Sequence, residues 1–154
     1  MGQFEYARRS GTLHFSAPPG RVFPLFGPVR EAEWAEGWEI SVVHAQSELL
    51  EESGAIFLTR HPGEPETIWY IRRFDLQAIR VEYLRITPGS RFGIVSIQCH
   101  AGPSGGTDVE VTYEFHTLSE QGSAYLALFT ESRYREMLAH WQQAIDACLR
   151  HGLA

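Results

Sequence analysis

The C-terminal part of the chain carries the pattern that most limits how the protein can fold. Between Gln121 and Arg150, apolar residues recur at spacings of three and four, which predicts one long amphipathic helix. Its apolar stripe comprises Tyr134, Met137, Leu138, Trp141, Ile145, Cys148 and Leu149. Segments upstream alternate apolar and polar residues with period two, as strands with one buried face do. The sequence therefore predicts a sheet whose apolar face covers this helix.

Seven strands and two short helices are predicted before the long helix. The first strand contains Leu13 and Phe15 and stops at the segment Ala17–Gly20. Prolines at a helix start and apolar residues on one face predict a short helix through Phe26 and a second over Val29–Ala35. The remaining strands are predicted over residues 38–45, 55–60, 67–74, 79–87, 91–101 and 107–117.

The turns between these strands predict their register. The turn Gly102–Gly106 pairs Val95 with Tyr113, and the turn before it pairs Arg85 with Gly93. On the opposite face of the last two strands, polar residues lie beside polar residues, as in the pairs His100 with Asp108 and Gln98 with Glu110. We therefore expect one apolar face that is covered and one polar face in solvent.

The loop at residues 75–79 predicts how the fourth strand meets the fifth. Pairing Phe74 with Arg80 there brings Arg72 beside Glu82 on the solvent face. All the registers agree with one another. They place on the inner face Phe57, Trp69, Ile71, Val81, Tyr83, Val95, Ile97, Cys99, Val109, Val111, Tyr113 and Phe115.

The order of elements resembles that of a known superfamily. The resemblance is carried by Ala17-Pro18 followed by Val22-Phe23, by Gly54–Phe57, by Gly106–Val109 and by the terminal helix. On these motifs the chain resembles the helix-grip fold of the START and birch-pollen-allergen type, the SRPBCC superfamily, over nearly its whole length. The resemblance implies one α+β domain over residues 1–154. Its curved antiparallel sheet of about seven strands wraps around a long C-terminal helix, with an apolar cavity whose mouth lies near the two short helices.

The resemblance and the inner face together predict which residues line that cavity. Trp34 and Trp38, at the junction of the short helices and the second strand, either pack as core or line the mouth. The predicted lining consists of Phe26, Trp34, Trp38, Phe57, Trp69, Ile71, Val81, Tyr83, Arg85, Val95, Ile97, Val111, Tyr113, Phe115, Met137 and Trp141.

Arg85 is a charged residue at a position that the predicted register places on the inner face of the sheet, and two interpretations of it are possible. It could hold the carboxylate or phosphate of an amphipathic ligand, with Gly93 giving room and Trp69 adding a cation–π contact. Alternatively, it lies at the strand end and reaches solvent, or pairs with Glu31 or Glu33.

Composition excludes several classes of function. The net charge is −6 with scattered acidic residues, so no nucleic-acid partner is expected. Every basic residue is Arg, and without Lys there is no Schiff-base chemistry and no phosphate-loop lysine. No pair of the seven histidines has ligand spacing, so we expect no metal and no cofactor.

Three further patterns have plain interpretations. The start Met1–Tyr6 has no apolar signal core and no run is long enough to span a membrane, so cytoplasm is the default location. Cys99 and Cys148 lie far apart within apolar patterns and are predicted to be buried free thiols. Gly102–Gly106 matches the G-x-S-x-G pattern of hydrolases, but it joins two strands and is predicted to be a turn.

Three functions fit these features. The favoured one is binding or transport of a hydrophobic small molecule, lipid- or polyketide-like, in the internal cavity. The second is a polyketide cyclase or hydratase, for which Tyr83, Tyr113, Arg85 and His14 are the inward groups able to move a proton or steady an enolate. The third is a protein-interaction module like the co-chaperones of the superfamily, or a homodimer, with the segment Glu31–Glu39 as its contact surface.

Overall fold

Seven antiparallel strands form one sheet in the computed structural model, which describes residues 4–151. The strands are β1 (Tyr6–Phe15), β2 (Ser41–His44), β3 (Ile56–Thr59), β4 (Thr67–Asp75), β5 (Arg80–Thr87), β6 (Arg91–Ala101) and β7 (Thr107–Thr117). Their order across the sheet is β1-β7-β6-β5-β4-β3-β2. Strands β2 to β7 therefore follow one another as a meander, and β1 is added beside β7. The predicted set of strands is confirmed, although β1 begins earlier and β2 is shorter than predicted.

The chain between β1 and β2 is helical in short pieces, as predicted. Helix α1 (Pro19–Val22) runs directly into a first 3-10 helix (Phe23–Phe26), and a second 3-10 helix covers Arg30–Glu33. Proline stands near the start of both α1 and the first 3-10 helix, where its missing N–H has no helical partner to lose. The second 3-10 helix is shorter than the predicted segment Val29–Ala35.

The C-terminal helical region consists of two helices, so the prediction of one continuous helix from Gln121 to Arg150 is wrong. Helix α2 covers Glu120–Leu128 and helix α3 covers Glu131–His151. Thr130 begins α3, because its hydroxyl accepts a hydrogen bond from the backbone N–H of Arg133 at 3.2 Å. No helix within the described part of the chain is both long and apolar enough to cross a bilayer. Residues 1–3 belong to the segment that was predicted to have no apolar signal core, and they lie outside the described residues. Residues 152–154 lie outside them as well.

The observed register confirms most predicted pairs. Val95 lies opposite Tyr113, and Arg85 lies opposite both Gly93 on β6 and Trp69 on β4. The pairing at the end of β4 is wrong by one residue, because a bulge at Arg72 shifts the register.

The bulge also explains how one predicted contact survives. Glu82 pairs across the ladder with Arg73, yet the Arg72 side chain still reaches it, with Nε 2.6 Å from Oε1. Phe74 lies opposite Val81, and the Arg80 predicted there lies opposite Asp75.

Helix α3 is attached to the sheet through apolar packing and a few specific hydrogen bonds. Leu138 and Ile145 are buried on the helix face that meets the sheet. The Tyr134 hydroxyl donates to the carbonyl oxygen of Val111 on β7 at 2.6 Å. Gln142 bonds the backbone of the edge strand β1 twice, and these bonds hold the helix across the open side of the sheet.

The outer face of the sheet is polar in one part and apolar in another. Gln98 faces Glu110 and His100 faces Asp108 across β6 and β7, as predicted. The prediction of a polar outer face is wrong for β3 to β5, since their outward positions carry Leu58, Ile68, Tyr70, Leu84 and Ile86, all partly or largely exposed. Because both faces of these strands carry apolar residues, alternation alone does not distinguish the faces there. The strand register placed Phe57, Trp69 and Tyr83 on the inner face, where they are buried.

Candidate functional site

A small chamber lies between the sheet, the short helices and α3. Its free volume is about 10 Å³, which is room for about one water-sized group. The lining residues come from seven elements and share one enclosed space: Phe26, Glu31, Trp69, Tyr83, Val95, Ile97, Tyr113 and Trp141. We call this space the central chamber. A carboxyl group and two phenols meet aromatic core rings here.

Aromatic rings form most of the chamber wall. The Trp69 ring stacks on Phe57, with ring centroids 5.6 Å apart and planes 7° apart. On the helix side, Trp34 and Trp141 meet edge to face at 5.3 Å. Such pairs add stability beyond the area they bury, about 0.5–1.5 kcal/mol each. The indole N–H of Trp34 donates to the carbonyl oxygen of Leu25 at 2.7 Å, so this side chain is fixed in the core.

Arg85 extends from β5 into this aromatic surrounding. Only 9% of the residue is exposed, so the interpretation that it snorkels to solvent is wrong. Its guanidinium carbon lies 4.7 Å from the Trp69 ring centroid and 5.5 Å from that of Phe115, and the predicted contact with Trp69 is thereby confirmed. Its Nε is buried without a hydrogen-bond partner in the described residues. A buried charge in this condition costs several kcal/mol.

The two acidic residues considered as partners of Arg85 behave differently. Glu33 forms an ion pair with Arg30 on its own 3-10 helix, with Nε and Oε2 2.9 Å apart, so its pairing with Arg85 is wrong. Glu31 points into the central chamber but forms no ion pair with Arg85 among residues 4–151. Burial raises the pKa of the Glu31 carboxyl to about 8, and the positive charge of Arg85 opposes that rise.

The three buried tyrosines near the chamber differ in whether their hydroxyl groups form hydrogen bonds. Tyr83 donates to the carbonyl oxygen of Phe26 at 2.7 Å, and Tyr134 donates to Val111. Tyr113 is 8% exposed, and its hydroxyl makes no hydrogen bond with any described residue. Burial holds the phenol pKa of all three above its ordinary value, so each is a neutral donor at physiological pH. Tyr113 is the one of the three with a donor to spare.

The structure brings together part of the predicted lining and places the rest in the surrounding core. Seven predicted residues line the chamber: Phe26, Trp69, Tyr83, Val95, Ile97, Tyr113 and Trp141. The others pack around it without facing the free space: Trp34, Trp38, Phe57, Ile71, Val81, Arg85, Val111, Phe115 and Met137.

One lining residue was missed and one candidate was misplaced. Glu31 stands three residues before the buried Trp34, and that spacing shares a helix face, so it could have been assigned to the inside. His14, predicted near the inner face, is exposed on the outer face, where its Nδ1 lies 2.8 Å from Asp108 Oδ1.

The two cysteines are free thiols, as predicted. Cys99 is buried in the core, and its burial raises the pKa of the thiol to about 12, so it is not a nucleophile at neutral pH. Cys148 is half-buried on α3, and burial raises the pKa of its thiol as well. Neither thiol lines the chamber.

A larger groove lies on the outside of the short helices. Its volume is about 600 Å³, and its lining includes Val29, Ala32, Trp38 and Leu58. We call it the side groove. Trp38 lines it and also meets the Trp69 ring edge to face at 5.5 Å, and Trp69 lines the central chamber. Trp38 and the second 3-10 helix therefore separate the side groove from the chamber.

Comparison with known proteins establishes the fold. No protein-family model and no curated protein matches the sequence. Among solved structures, a point mutant of norcoclaurine synthase from Thalictrum flavum, in complex with a transition-state analogue, is 15% identical with a TM-score of 0.70, over 99% of this chain and 100% of that one. Ginseng major latex-like protein 151 from Panax ginseng is 13% identical with a TM-score of 0.62, over 92% and 96%. A protein from Nitrosospira multiformis is 16% identical with a TM-score of 0.63, over 87% and 92%. The predicted resemblance to helix-grip proteins is confirmed at the level of the fold.

Proposed function

We propose that the protein binds a small hydrophobic molecule, lipid- or polyketide-like, between its sheet and α3, with the polar end of that molecule at Arg85. The observation that carries this proposal is the buried guanidinium of Arg85, which has no counter-ion among the described residues and packs on Trp69, a ring that lines the central chamber. Folding alone gains nothing from such a group, because a well-packed apolar residue in its place is often equally stable or more stable. A binding site gains a fixed polar contact that orients its ligand.

The ligand needs more room than the closed chamber has. Pockets for small molecules usually have volumes of about 300–1,000 Å³, far above that of the chamber and within the range of the side groove. Displacing Trp38 and the second 3-10 helix would join the two spaces. Both belong to short, loop-connected elements, which open at a lower free-energy cost than a core strand. We propose this as the route by which the molecule reaches Arg85.

The test uses the four tryptophans of the chain as reporters. Trp34, Trp38, Trp69 and Trp141 all lie at or next to the chamber, so a molecule that enters it should change their fluorescence. A panel of aromatic and aliphatic probes should shift the emission of the wild-type protein saturably. If no probe does so, binding in the interior is contradicted.

A pair of valine variants distinguishes interior from surface binding. Val95→Phe adds volume inside the chamber, whereas Val43→Phe adds it at a residue of β2 that is 58% exposed. Overpacking costs about 1–3 kcal/mol, so folding of Val95→Phe is first checked by circular dichroism. Binding should be lost in Val95→Phe and kept in Val43→Phe. Equal binding by both would place the probe outside the chamber.

The second candidate, an enzyme acting on a polyketide-like substrate, is supported by Glu31. A carboxyl whose pKa is about 8 can give and take a proton near neutral pH, and Arg85 in the same surrounding could steady an enolate oxygen. A structure of norcoclaurine synthase in complex with dopamine and hydroxybenzaldehyde supports the idea that this fold can host chemistry on aromatic molecules.

This candidate is tested by exchange of the α-protons of 2-acetonaphthone in D₂O, followed by NMR. Glu31→Gln should abolish protein-dependent exchange. Glu33→Gln is the matched control, because Glu33 is a neighbouring acid paired on the surface with Arg30. Equal exchange in both variants, or none in the wild type, would contradict the enzyme.

The interaction-module and homodimer alternatives have less support. The aromatic residues of the segment Glu31–Glu39 were its expected contacts, but Trp34 is buried and the Trp38 indole N–H donates to the carbonyl oxygen of Pro28 at 2.8 Å. Trp34 is therefore withdrawn from the surface, and Trp38 is held by this bond where it lines the side groove.

A further inference from the structure

Two arginines are buried within residues 4–151, and their comparison shows what Arg85 lacks. Arg91 is 1% exposed, but its Nη1 lies 2.8 Å from Glu64 Oε2 and 3.0 Å from the Ser90 hydroxyl. It also packs over the Tyr125 ring at 3.3 Å. Arg91 is thus a structural arginine with its own counter-ion. Arg85 has the aromatic packing without any carboxylate among the described residues.

The packing of Arg85 leaves only its N–H edge for a ligand. Trp69 and Phe115 lie against the guanidinium, so its faces are already in contact with rings. The planar edge of a guanidinium matches the two oxygens of a carboxylate, with two parallel N–H···O bonds. The Nε in this edge is buried without a partner. The Nε of Arg91 is buried without a partner too, but Arg91 has Glu64 at its Nη1, whereas Arg85 has no hydrogen-bond partner among the described residues.

Two further groups with unused hydrogen-bonding capacity belong to the same surrounding. Tyr113 lines the chamber with a hydroxyl that has no partner in residues 4–151, and its charge interactions include both Arg85 and Glu31. Glu31 lines the chamber as well, and a carboxylic acid in its neutral form also donates a hydrogen bond. With Arg85 as its one cation and walls that are mostly aromatic and aliphatic, the site fits a single negative charge better than a dianionic phosphate.

We propose that the molecule bound in the interior is an apolar monocarboxylic acid, whose carboxylate is held by Arg85 and Tyr113. This inference rests on the proposed binding function and names its ligand class. Ionised Glu31 would place a second negative charge at the site and weaken binding. The other charged groups around Glu31 are Arg30 and Glu33 on its own helix, Arg85 on β5, and Glu51. The ion pair between Arg30 and Glu33 raises the pKa of Arg30 and lowers that of Glu33, so both stay charged between pH 6 and 9. Burial holds the pKa of Tyr83, Tyr113 and Cys148 above its ordinary value.

The experiment compares 2-naphthoate with 2-naphthylmethanol, which share one ring system and differ in charge. Dissociation constants are measured by calorimetry on the wild type, Arg85→Met, Tyr113→Phe and the control Arg73→Met, whose arginine pairs with Asp75 on the surface. We expect naphthoate to bind the wild type at least about tenfold more tightly than the alcohol, as one charge-assisted hydrogen-bonded pair supplies. This preference should fall to within about twofold in Arg85→Met, decrease in Tyr113→Phe and persist in Arg73→Met.

A pH series on the wild-type protein tests the same proposal without depending on the folding of Arg85→Met. Naphthoate is ionised throughout the range from pH 6 to 9. Its affinity should fall by about tenfold as the pH rises through 8, the affinity of the alcohol should not change, and Glu31→Gln should remove the fall.

The outcomes separate the two proposals. Equal binding of both probes to the wild type, a preference that persists in Arg85→Met, or a flat pH profile would overturn the carboxylate site and leave interior binding standing. Failure of both probes to bind would overturn interior binding, and the carboxylate site with it.

Discussion

Gly93 on β6 lies directly opposite Arg85 on β5, and a Cβ at Gly93 would lie 2.9 Å from Arg85 Cγ and 2.7 Å from Phe115 Cε1. The absence of a side chain at this position is therefore what lets the arginine stem and the Phe115 ring pass each other. Gly93→Ala should lower the free energy of unfolding by about 1–3 kcal/mol, because both neighbours are fixed in the core.

The matched control for Gly93 is Gly20. A Cβ added at Gly20 would have no heavy atom within 4 Å, and the φ angle of Gly20 is not positive. Gly20→Ala should leave stability unchanged or raise it slightly, since alanine loses less backbone entropy. Urea unfolding of both variants measures the difference. A Gly93→Ala protein as stable as Gly20→Ala would show that the Arg85 stem can move without cost.

Glu31 should make the protein less stable as the pH rises. In an unfolded chain a glutamate titrates near pH 4.3, whereas burial raises the pKa of Glu31 in the folded protein to about 8. Between these values the folded state keeps a proton that the unfolded state has released, so the free energy of unfolding falls with rising pH. Ionisation of Glu31 should lower the free energy of unfolding by on the order of 3 kcal/mol. This is less than the full pKa difference implies, because the Glu31 side chain keeps part of its contact with solvent, which screens its charge.

Variants at the two neighbouring acids isolate this effect. Glu31→Gln cannot ionise and should remove its share of the decline between about pH 5 and pH 8, so that it exceeds the wild type in stability at pH 8. In Glu33 the ion pair with Arg30 lowers the pKa, so its contribution appears only at acidic pH, and Glu33→Gln should keep the wild-type decline over the same range. Parallel urea titrations at several pH values provide the measurement, and identical slopes for the wild type and Glu31→Gln would contradict the assignment.

The sheet was predictable from the sequence because its signal is local. Turn lengths and alternation predict Val95 opposite Tyr113 and Arg85 opposite Gly93, and both pairs are observed. The bulge at Arg72 was missed although it leaves a local signal: the extra residue moves the inward positions of β4 along by one, so two polar residues, Arg72 and Arg73, stand before the inward Phe74. The break before α3 did leave a signal: Thr130 followed by Glu131 is a helix start, but the apolar residues on both sides favoured continuity.

The candidate site was predictable only in part, because its properties depend on distances between elements. Strand register placed Arg85 and Tyr113 on the inner face. Glu31 reaches the same chamber from a 3-10 helix whose path no pairing rule constrains. The size of the chamber depends on how Trp34 and Trp141 pack together, which periodicity does not determine.

Two tyrosines should respond differently to loss of the hydroxyl. Tyr134→Phe removes the bond to the carbonyl oxygen of Val111 and should cost about 1–2 kcal/mol, because a buried acceptor loses its donor. Tyr113→Phe removes a hydroxyl that has no partner in the described residues and should leave the stability of the free protein within about 0.5 kcal/mol. Thermal unfolding without added ligand compares them, and an equal loss in both variants would reveal a structural bond to Tyr113.

The two buried arginines should respond with opposite signs to replacement by methionine. Arg91→Met leaves Glu64 without its counter-ion and removes the contact with Tyr125, so it should lower the free energy of unfolding by about 3 kcal/mol. Arg85→Met removes a charge that has no counter-ion in the described chain, and methionine keeps most of the packing against Trp69. Its stability should stay equal to that of the wild type or rise by about 1–2 kcal/mol.

Urea unfolding at pH 7 measures both arginine variants, with Arg73→Met as the surface reference. If Arg85→Met is more stable than the wild type, Arg85 lowers the stability of the folded protein. A role of Arg85 in binding would then explain its presence. If Arg85→Met is instead destabilised as much as Arg91→Met, the cation–π contacts with Trp69 and Phe115 outweigh the burial of the charge, and Arg85 is a structural residue of the core.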